Sequence, residues 1–131
     1  MSEDALIAEA IQARENAVAT FSNFKVGSAI STPAGRIFRG CNVENSTLGL
    51  TVCAERVALL AALAAGERSF DRIAVITQSE QPSSPCGACR QLLWEFCDDI
   101  EVVIANLDGN VRRLRLAELL PEPFVFKAEE K

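Results

Sequence analysis

Histidine and tyrosine are absent from the 131 residues, and tryptophan and methionine occur once each. Without an imidazole, Ser-His-Asp and Cys-His hydrolases, His-x-x-Glu-His metal sites and any histidine base are excluded. Acid–base work falls to Asp, Glu, Lys, Cys or metal-activated water. No stretch approaches the roughly 20 apolar residues that span a bilayer, so no membrane partner is expected. The first twenty residues carry Glu3 and Asp4 early and no continuous apolar run, unlike a secretory signal. Basic residues are not clustered, and the net charge is −5 with a pI near 4.8. A phosphate backbone is usually met by grouped Lys and Arg, so nucleic acid is not expected as a partner. These absences together predict a cytoplasmic protein.

What is present begins with size. At 131 residues and 49% hydrophobic, the chain suits one domain over 1–131 with a single packed core. Five cysteines in so short a chain raise the idea of a disulfide framework. The odd count and the missing signal turn the reading toward metal binding or catalysis in a reducing compartment.

Periodicity gives the order of elements. Ile7, Ala10, Ile11, Ala17, Val18 and Phe21 recur at helical spacing, which predicts a helix over 3–20. Short strand-like runs over 25–31 and 36–40 flank Thr32-Pro33-Ala34-Gly35, a hairpin signal. Residues 46–51 read as loop. A second helix is predicted from Val52 to a stop at Gly66. Strands follow over 72–77, 100–105 and 111–114, with a polar loop over 78–84 and a helix from Cys86 carrying Leu92, Leu93, Trp94 and Phe96. Asp108-Gly109 marks a tight turn, residues 115–120 a short helix ended by Pro121, and 127–131 a frayed tail. Helices alternating with buried strands predict an α/β fold, a three-layer α/β/α sandwich on a mixed five-stranded sheet.

The chemistry concentrates in Cys53-Ala54-Glu55 and Pro85-Cys86-Gly87-Ala88-Cys89. Three thiolates, Cys53, Cys86 and Cys89, can hold one Zn²⁺ and leave its fourth tetrahedral position open, as catalytic sites do. Both segments fall at predicted helix starts, where the partial positive charge favours thiolates. Gly87 is expected to let the backbone pass close beneath the metal. Three thiolates leave zinc with a charge of about −1 by addition, which weakens it as a Lewis acid. Arg56 is the candidate to withdraw that charge, by donating to the Cys86 or Cys89 sulfur; a solvated helix face is the plainer role. Arg90 is a second candidate for the same task. Glu55 is the candidate proton shuttle between an attacking water, a ring nitrogen and departing ammonia; a carboxylate that only favours the helix dipole is the alternative. Cys41 and Cys97 do not fit the ligand set and are expected in the core, although Cys41 is a conceivable fourth ligand. A lone Cys-x-x-Cys is weak evidence for a zinc ribbon.

A Cys or His, then x-Glu, then Pro-Cys-x-x-Cys is the established pattern of zinc-dependent nucleobase deaminases. More closely, the chain from about Phe21 to Phe124 resembles the cytidine deaminases of the small, three-cysteine, tetrameric class. The resemblance is carried by Phe24-Lys25-Val26-Gly27, Gly40-Cys41-Asn42-Val43-Glu44-Asn45, Thr51-Val52-Cys53-Ala54-Glu55-Arg56, Ser84-Pro85-Cys86-Gly87-Ala88-Cys89-Arg90-Gln91 and Glu118-Leu119-Leu120-Pro121. It implies a nucleoside substrate, zinc as cofactor and a homotetramer. It implies that Asn42 and Glu44 bind the ribose 3′-hydroxyl and that Phe24 lies at the base. It implies that the Ala54 N–H meets the base carbonyl, that the Ser84 carbonyl meets the amine, and that Phe124 covers the cytosine of a neighbouring subunit. For Phe24 the plain alternative is core packing; Trp94 and Phe96 read as core.

Leu48 stands where the family carries a tyrosine, and Thr20-Phe21-Ser22-Asn23 replaces a tyrosine-bearing segment. A weaker hold on the sugar's outer end, or a roomier pocket admitting N4-substituted cytidines, is expected. The activity expected is zinc-dependent hydrolytic deamination of cytidine and deoxycytidine in pyrimidine salvage. The alternatives are the same chemistry on modified cytidines or a nucleoside antibiotic, a nucleic-acid editing deaminase, and a zinc-stabilised binding module without turnover.

Overall fold

The run Ile73-Ala74-Val75-Ile76, β-branched at three of its four positions, has no helical face to offer, and in the computed structural model it is the centre of β3, Arg72–Thr77. The structure describes residues 2–126; the tail expected at 127–131 lies outside them. The other strands are β1 (Val26–Ser31), β2 (Ile37–Cys41), β4 (Glu101–Asn106) and β5 (Val111–Arg115), and the helices are α1 (Glu3–Arg14), α2 (Ala54–Ala64), α3 (Gly87–Cys97) and the short α4 (Leu116–Leu119). The sheet runs β2-β1-β3-β4-β5, with β3 and β4 parallel and every other pairing antiparallel. This is the mixed five-stranded sheet expected.

Strand side chains alternate between faces, and the two faces carry different cores. Ile73 and Val75 of β3 join Ile30, Val102 and Ile104 under Ala58, Leu59 and Ala62 of α2 and Leu93 of α3. Ala74 and Ile76 join Ala29, Val103 and Ala105 under Leu6 and Ala10 of α1. Helices thus cover both faces, which makes three layers. The α1 face is alanine-rich, so that helix lies close. A Cβ at Gly27 of β1 would come 2.0 Å from the Ala10 carbonyl oxygen. On the other face, a Cβ at Gly40 would meet the Ala54 oxygen and the Ala58 nitrogen, each at 2.3 Å. Glycine at position 40 therefore lets β2 touch the first turn of α2, and that contact sets Asn42 beside the start of the helix.

Two helix boundaries differ from expectation by more than one residue, for one reason. The helix predicted over 3–20 stops at Arg14, where the Asn16 and Ala17 N–H groups turn back to the Ala13 and Arg14 carbonyls. Val18 pairs with Val43 instead, and Val52, predicted to open the second helix, pairs with Val43 from the other side. Its N–H and carbonyl exchange 3.0 Å bonds with Val43. Long-range strand pairing overrides local helical periodicity here. Helix α2 begins two residues later than predicted, at Ala54, and residues 48–50, expected as loop, close one 3₁₀ turn. Among the described residues no helix is long and apolar enough to cross a membrane.

Candidate active site

Cys53 is the N-cap of α2 and Cys86 the N-cap of α3. Neither side chain caps its helix, so both sulfurs stay available where two helix N-termini converge. Cys89 lies one turn into α3 and is buried. The three sulfurs lie within 4.8 Å of one another, with Cys86 and Cys89 Sγ 3.5 Å apart. A tetrahedral zinc with Zn–S bonds of 2.3 Å needs sulfurs about 3.8 Å apart, so the donor set fits the ion in number, chemistry and spacing. Among the described residues no other group of three such donors forms. Cys97 packs in the core, where burial pushes its thiol up to about 12. Cys41 is only half-buried and stands outside the sulfur group. A Cβ added at Gly87 would meet no protein atom within 4 Å.

The thiols are not equal. Burial raises Cys89, reinforced by the Glu55 carboxylate, and burial likewise raises Cys53. For Cys86 burial opposes ionisation, but hydrogen bonds from the Cys89 backbone and from the Cys89 and Cys53 side chains outweigh it and lower the thiol. A cation entering this cluster displaces protons from the two raised thiols. Arg56 does not bond a sulfur: its Nη2 donates to the Thr51 carbonyl at 2.8 Å, and its buried Nε has no partner. A buried donor without an acceptor costs about 1–3 kcal/mol, so the site carries one unfilled demand for negative charge. Arg90 is engaged elsewhere, donating to the Pro85 carbonyl, the Ser84 hydroxyl and the Leu119 carbonyl.

Glu55, in the first turn of α2, is 6% exposed. Burial raises its carboxyl above the ordinary range, against the opposing pull of its own backbone N–H and of Arg56. A carboxyl poised upward can take and return a proton near neutral pH. It faces a cavity of about 240 Å³ shared with Cys53, Ala54, Cys86 and Ser84. Phe24, Val26 and Val75 give the cavity an apolar wall, and Asn42 and Thr77 add polar points. An apolar slot with a few placed polar groups is what a small flat ligand needs. Val26, Val75, Thr77 and Ser83 went unmarked in the sequence; the strand alternation that places Val75 on the α2 face also places Thr77 there, and could have found it.

Asn42 accepts from the Val26 N–H at 2.9 Å through Oδ1 and donates to the Phe24 carbonyl at 2.8 Å through Nδ2. It braces the cavity wall from β2. Glu44 is not in this cavity. Its carboxylate accepts from the Phe21 and Ser22 N–H groups, each at 2.9 Å, and from the Ser22 hydroxyl, and it lines a second depression with Leu48 and Thr51. The Ser22 hydroxyl and N–H hold its carboxyl below the usual range. Phe124 also lies outside the cavity, 70% exposed. Gln91 holds its backbone in strand fashion, accepting from the Phe124 N–H at 2.9 Å and donating to its carbonyl at 2.8 Å.

Likenesses to known proteins bear on this arrangement. The family model described as the cytidine and deoxycytidylate deaminase zinc-binding region matches residues 1–106. The chain is 46% identical over 125 residues to a cytidine deaminase of Halalkalibacterium halodurans, covering 95% of each protein. A crystal structure of cytidine deaminase from Burkholderia pseudomallei superposes with a TM-score of 0.92 at 50% identity, over 95% of this chain and all of that one. A cytidine deaminase structure from Mycobacterium tuberculosis superposes with a TM-score of 0.83 at 34% identity, over 96% of this chain and 99% of that one. With the match spanning most of the chain and the sulfur cluster within it, the chain belongs to the cytidine and deoxycytidylate deaminase family.

Proposed function

We propose that the chain, acting as one domain, hydrolyses cytidine and deoxycytidine to uridine and deoxyuridine with release of ammonia. The observation that carries this reading is a buried carboxyl, Glu55, facing the same small cavity as two of three clustered thiols. The activity is also the one named for the relatives that match along nearly the whole chain.

Cys53, Cys86 and Cys89 would hold zinc, which when bound would supply the Lewis acidity that makes water nucleophilic near neutral pH. Glu55 accepts a proton from that water as its oxygen bonds C4 of the base, and delivers the proton to N3. Glu55 next takes the proton of the new C4 hydroxyl and passes it to the exocyclic nitrogen. The C4–N bond breaks, ammonia leaves with the bonding electrons, and C4 becomes a carbonyl; N3 keeps its proton. The Ala54 N–H at the start of α2 meets the base carbonyl, and the Ser84 carbonyl accepts from the amine. Phe24 lies against the base. Asn42 and Glu44 read the ribose 3′-hydroxyl. An amide carries two N–H bonds and two lone pairs on oxygen, and a carboxylate about four acceptor sites, so both keep capacity beyond the backbone bonds they make here. The unpartnered Arg56 Nε suits an acceptor that arrives when the thiols ionise.

Phe124 covers the cavity of a neighbouring copy in a homotetramer, a role supported by its exposure and by the two bonds through which Gln91 holds its backbone. An acidic chain with no membrane-crossing helix among its described residues suits a cytoplasmic enzyme acting on free nucleosides. The test is uridine formation from cytidine, followed by ultraviolet absorbance, with zinc quantified in the same sample. Protein carrying one zinc per chain that forms no uridine would end the reading.

A further inference from the structure

Arg90 stands where three segments meet. Its Nε donates to the Pro85 carbonyl at 2.7 Å, its Nη2 to the Ser84 hydroxyl at 2.8 Å, and its Nη1 to the Leu119 carbonyl at 2.8 Å. The first two acceptors belong to the loop that ends in Cys86, and the third to the last residue of α4. The next residue, Gln91, clamps Phe124 with two bonds. One turn of α3 therefore holds both the metal-bearing loop and the segment that leads to Phe124.

We propose that Arg90 is a positioning residue of the deamination site, a role that rests on the function proposed above. A guanidinium presents its N–H bonds in one plane at fixed directions, so three acceptors arranged on it are fixed relative to one another. Pro85 stiffens the loop further: its ring locks φ, and the residue before a proline is confined to extended backbone. The Pro85 carbonyl and the Ser84 hydroxyl both bond Arg90, which ties down, on either side, the peptide that carries the Ser84 carbonyl, the acceptor assigned to the substrate amine. Ser84 and Cys86 both border the cavity on either side of Pro85. A shift of the Pro85 carbonyl moves the amine reader and a metal ligand together. A misplacement near 1 Å costs about 100-fold in rate. A lysine, one charge on a flexible stem, cannot hold three acceptors in a plane.

The experiment compares Arg90→Gln and Arg90→Lys with the parent for zinc per chain, melting temperature, kcat and KM for cytidine, and the inhibition constant of uridine. Uridine carries an oxygen where cytidine carries the amine, so it gains nothing from the Ser84 carbonyl. The expected result for Arg90→Gln is retained zinc, kcat about 100-fold lower, and uridine affinity within about threefold of the parent. Arg90→Lys recovers less than about tenfold of the lost rate. A kcat per bound zinc close to the parent's overturns the role. Cytidine turnover and uridine affinity falling together also overturn it, since that pattern reports general collapse of the cavity. If Arg90→Gln does not fold, Ser84→Ala removes one of the three bonds. It should lower kcat about fivefold with uridine affinity unchanged, and an unchanged kcat there overturns the role. A parent that forms no uridine overturns the functional reading and this role with it; an active parent with insensitive variants overturns this role alone.

Discussion

At the floor of the cavity Glu55 and Thr77 are nearly fully buried, and Cys89 of the sulfur cluster is buried with them; outside it, at the margin, Phe21, Leu48, Leu50 and Phe124 are each more than half exposed. The floor is assembled from strand ends and two helix N-termini packed into the core. The margins are loops and one 3₁₀ turn whose apolar side chains are exposed among the described residues. The contrast matches the two tasks in the proposed function: the buried groups are those assigned to breaking the C–N bond, and the exposed apolar ones those assigned to enclosing the ligand.

The sharpest way to break that contrast is Glu55→Gln. Activity should fall about 1000-fold, within the range a positioned acid–base group contributes, while zinc content holds. Melting temperature should stay level or rise, because burial already disfavours the ionised carboxyl and the amide removes that cost. Activity within about tenfold of the parent would move the chemistry away from the floor. Next is the pair Cys89→Ala and Cys97→Ala. The first should lose zinc and turnover together, and the second should keep both, since only Cys89 belongs to the sulfur cluster. Metal analysis beside the assay decides it; zinc retained by the Cys89 variant would contradict a three-sulfur site. At the margin the expected effects are smaller and of another kind. Phe124→Ala should raise KM about tenfold, equivalent to about 1.4 kcal/mol, with kcat within about twofold. Leu48→Tyr should lower KM. A collapse of kcat in either variant would make the margin part of the chemistry.

The smallest effect is a pH dependence at Glu44. Its carboxyl lies below the usual range, chiefly through the Ser22 hydroxyl. A depressed carboxyl contributes order that is fully present above the unfolded value and lost as the pH falls through the folded one. Amide resonances of Phe21 and Ser22 should therefore shift on acidification below the ordinary glutamate range and stay still between neutral and mildly alkaline pH. Movement on the alkaline side would assign the anchor to another group.

Sequence and structure agree where a residue's type carries its role. The bounds of β3 were legible because Ile73-Ala74-Val75-Ile76 permits little else, and Gly35, at φ +87°, marked its hairpin. Cys53, Cys86 and Cys89 were singled out as one ligand set by residue type and spacing, and their sulfurs come together in the fold. The end of α1 and the start of α2 were not legible, because Val43 recruits Val18 and Val52 from distant segments, and no local pattern encodes that choice. Val26 and Val75 were missed because an apolar side chain reads the same whether it faces a cavity or a core. The engagement of Arg90 with Leu119 was invisible for a like reason: backbone carbonyls leave no mark in a sequence.

Cys53 and the Cys86–Cys89 pair sit on opposite sides of β3 in chain order. While the polypeptide is being synthesised, its leading half offers a passing ion a single sulfur of the final cluster. A three-sulfur grip cannot begin before β3 is laid into the sheet and α3 has formed behind it. Metal capture is thus a late event, and a truncated or half-folded chain is poorly equipped to hoard zinc.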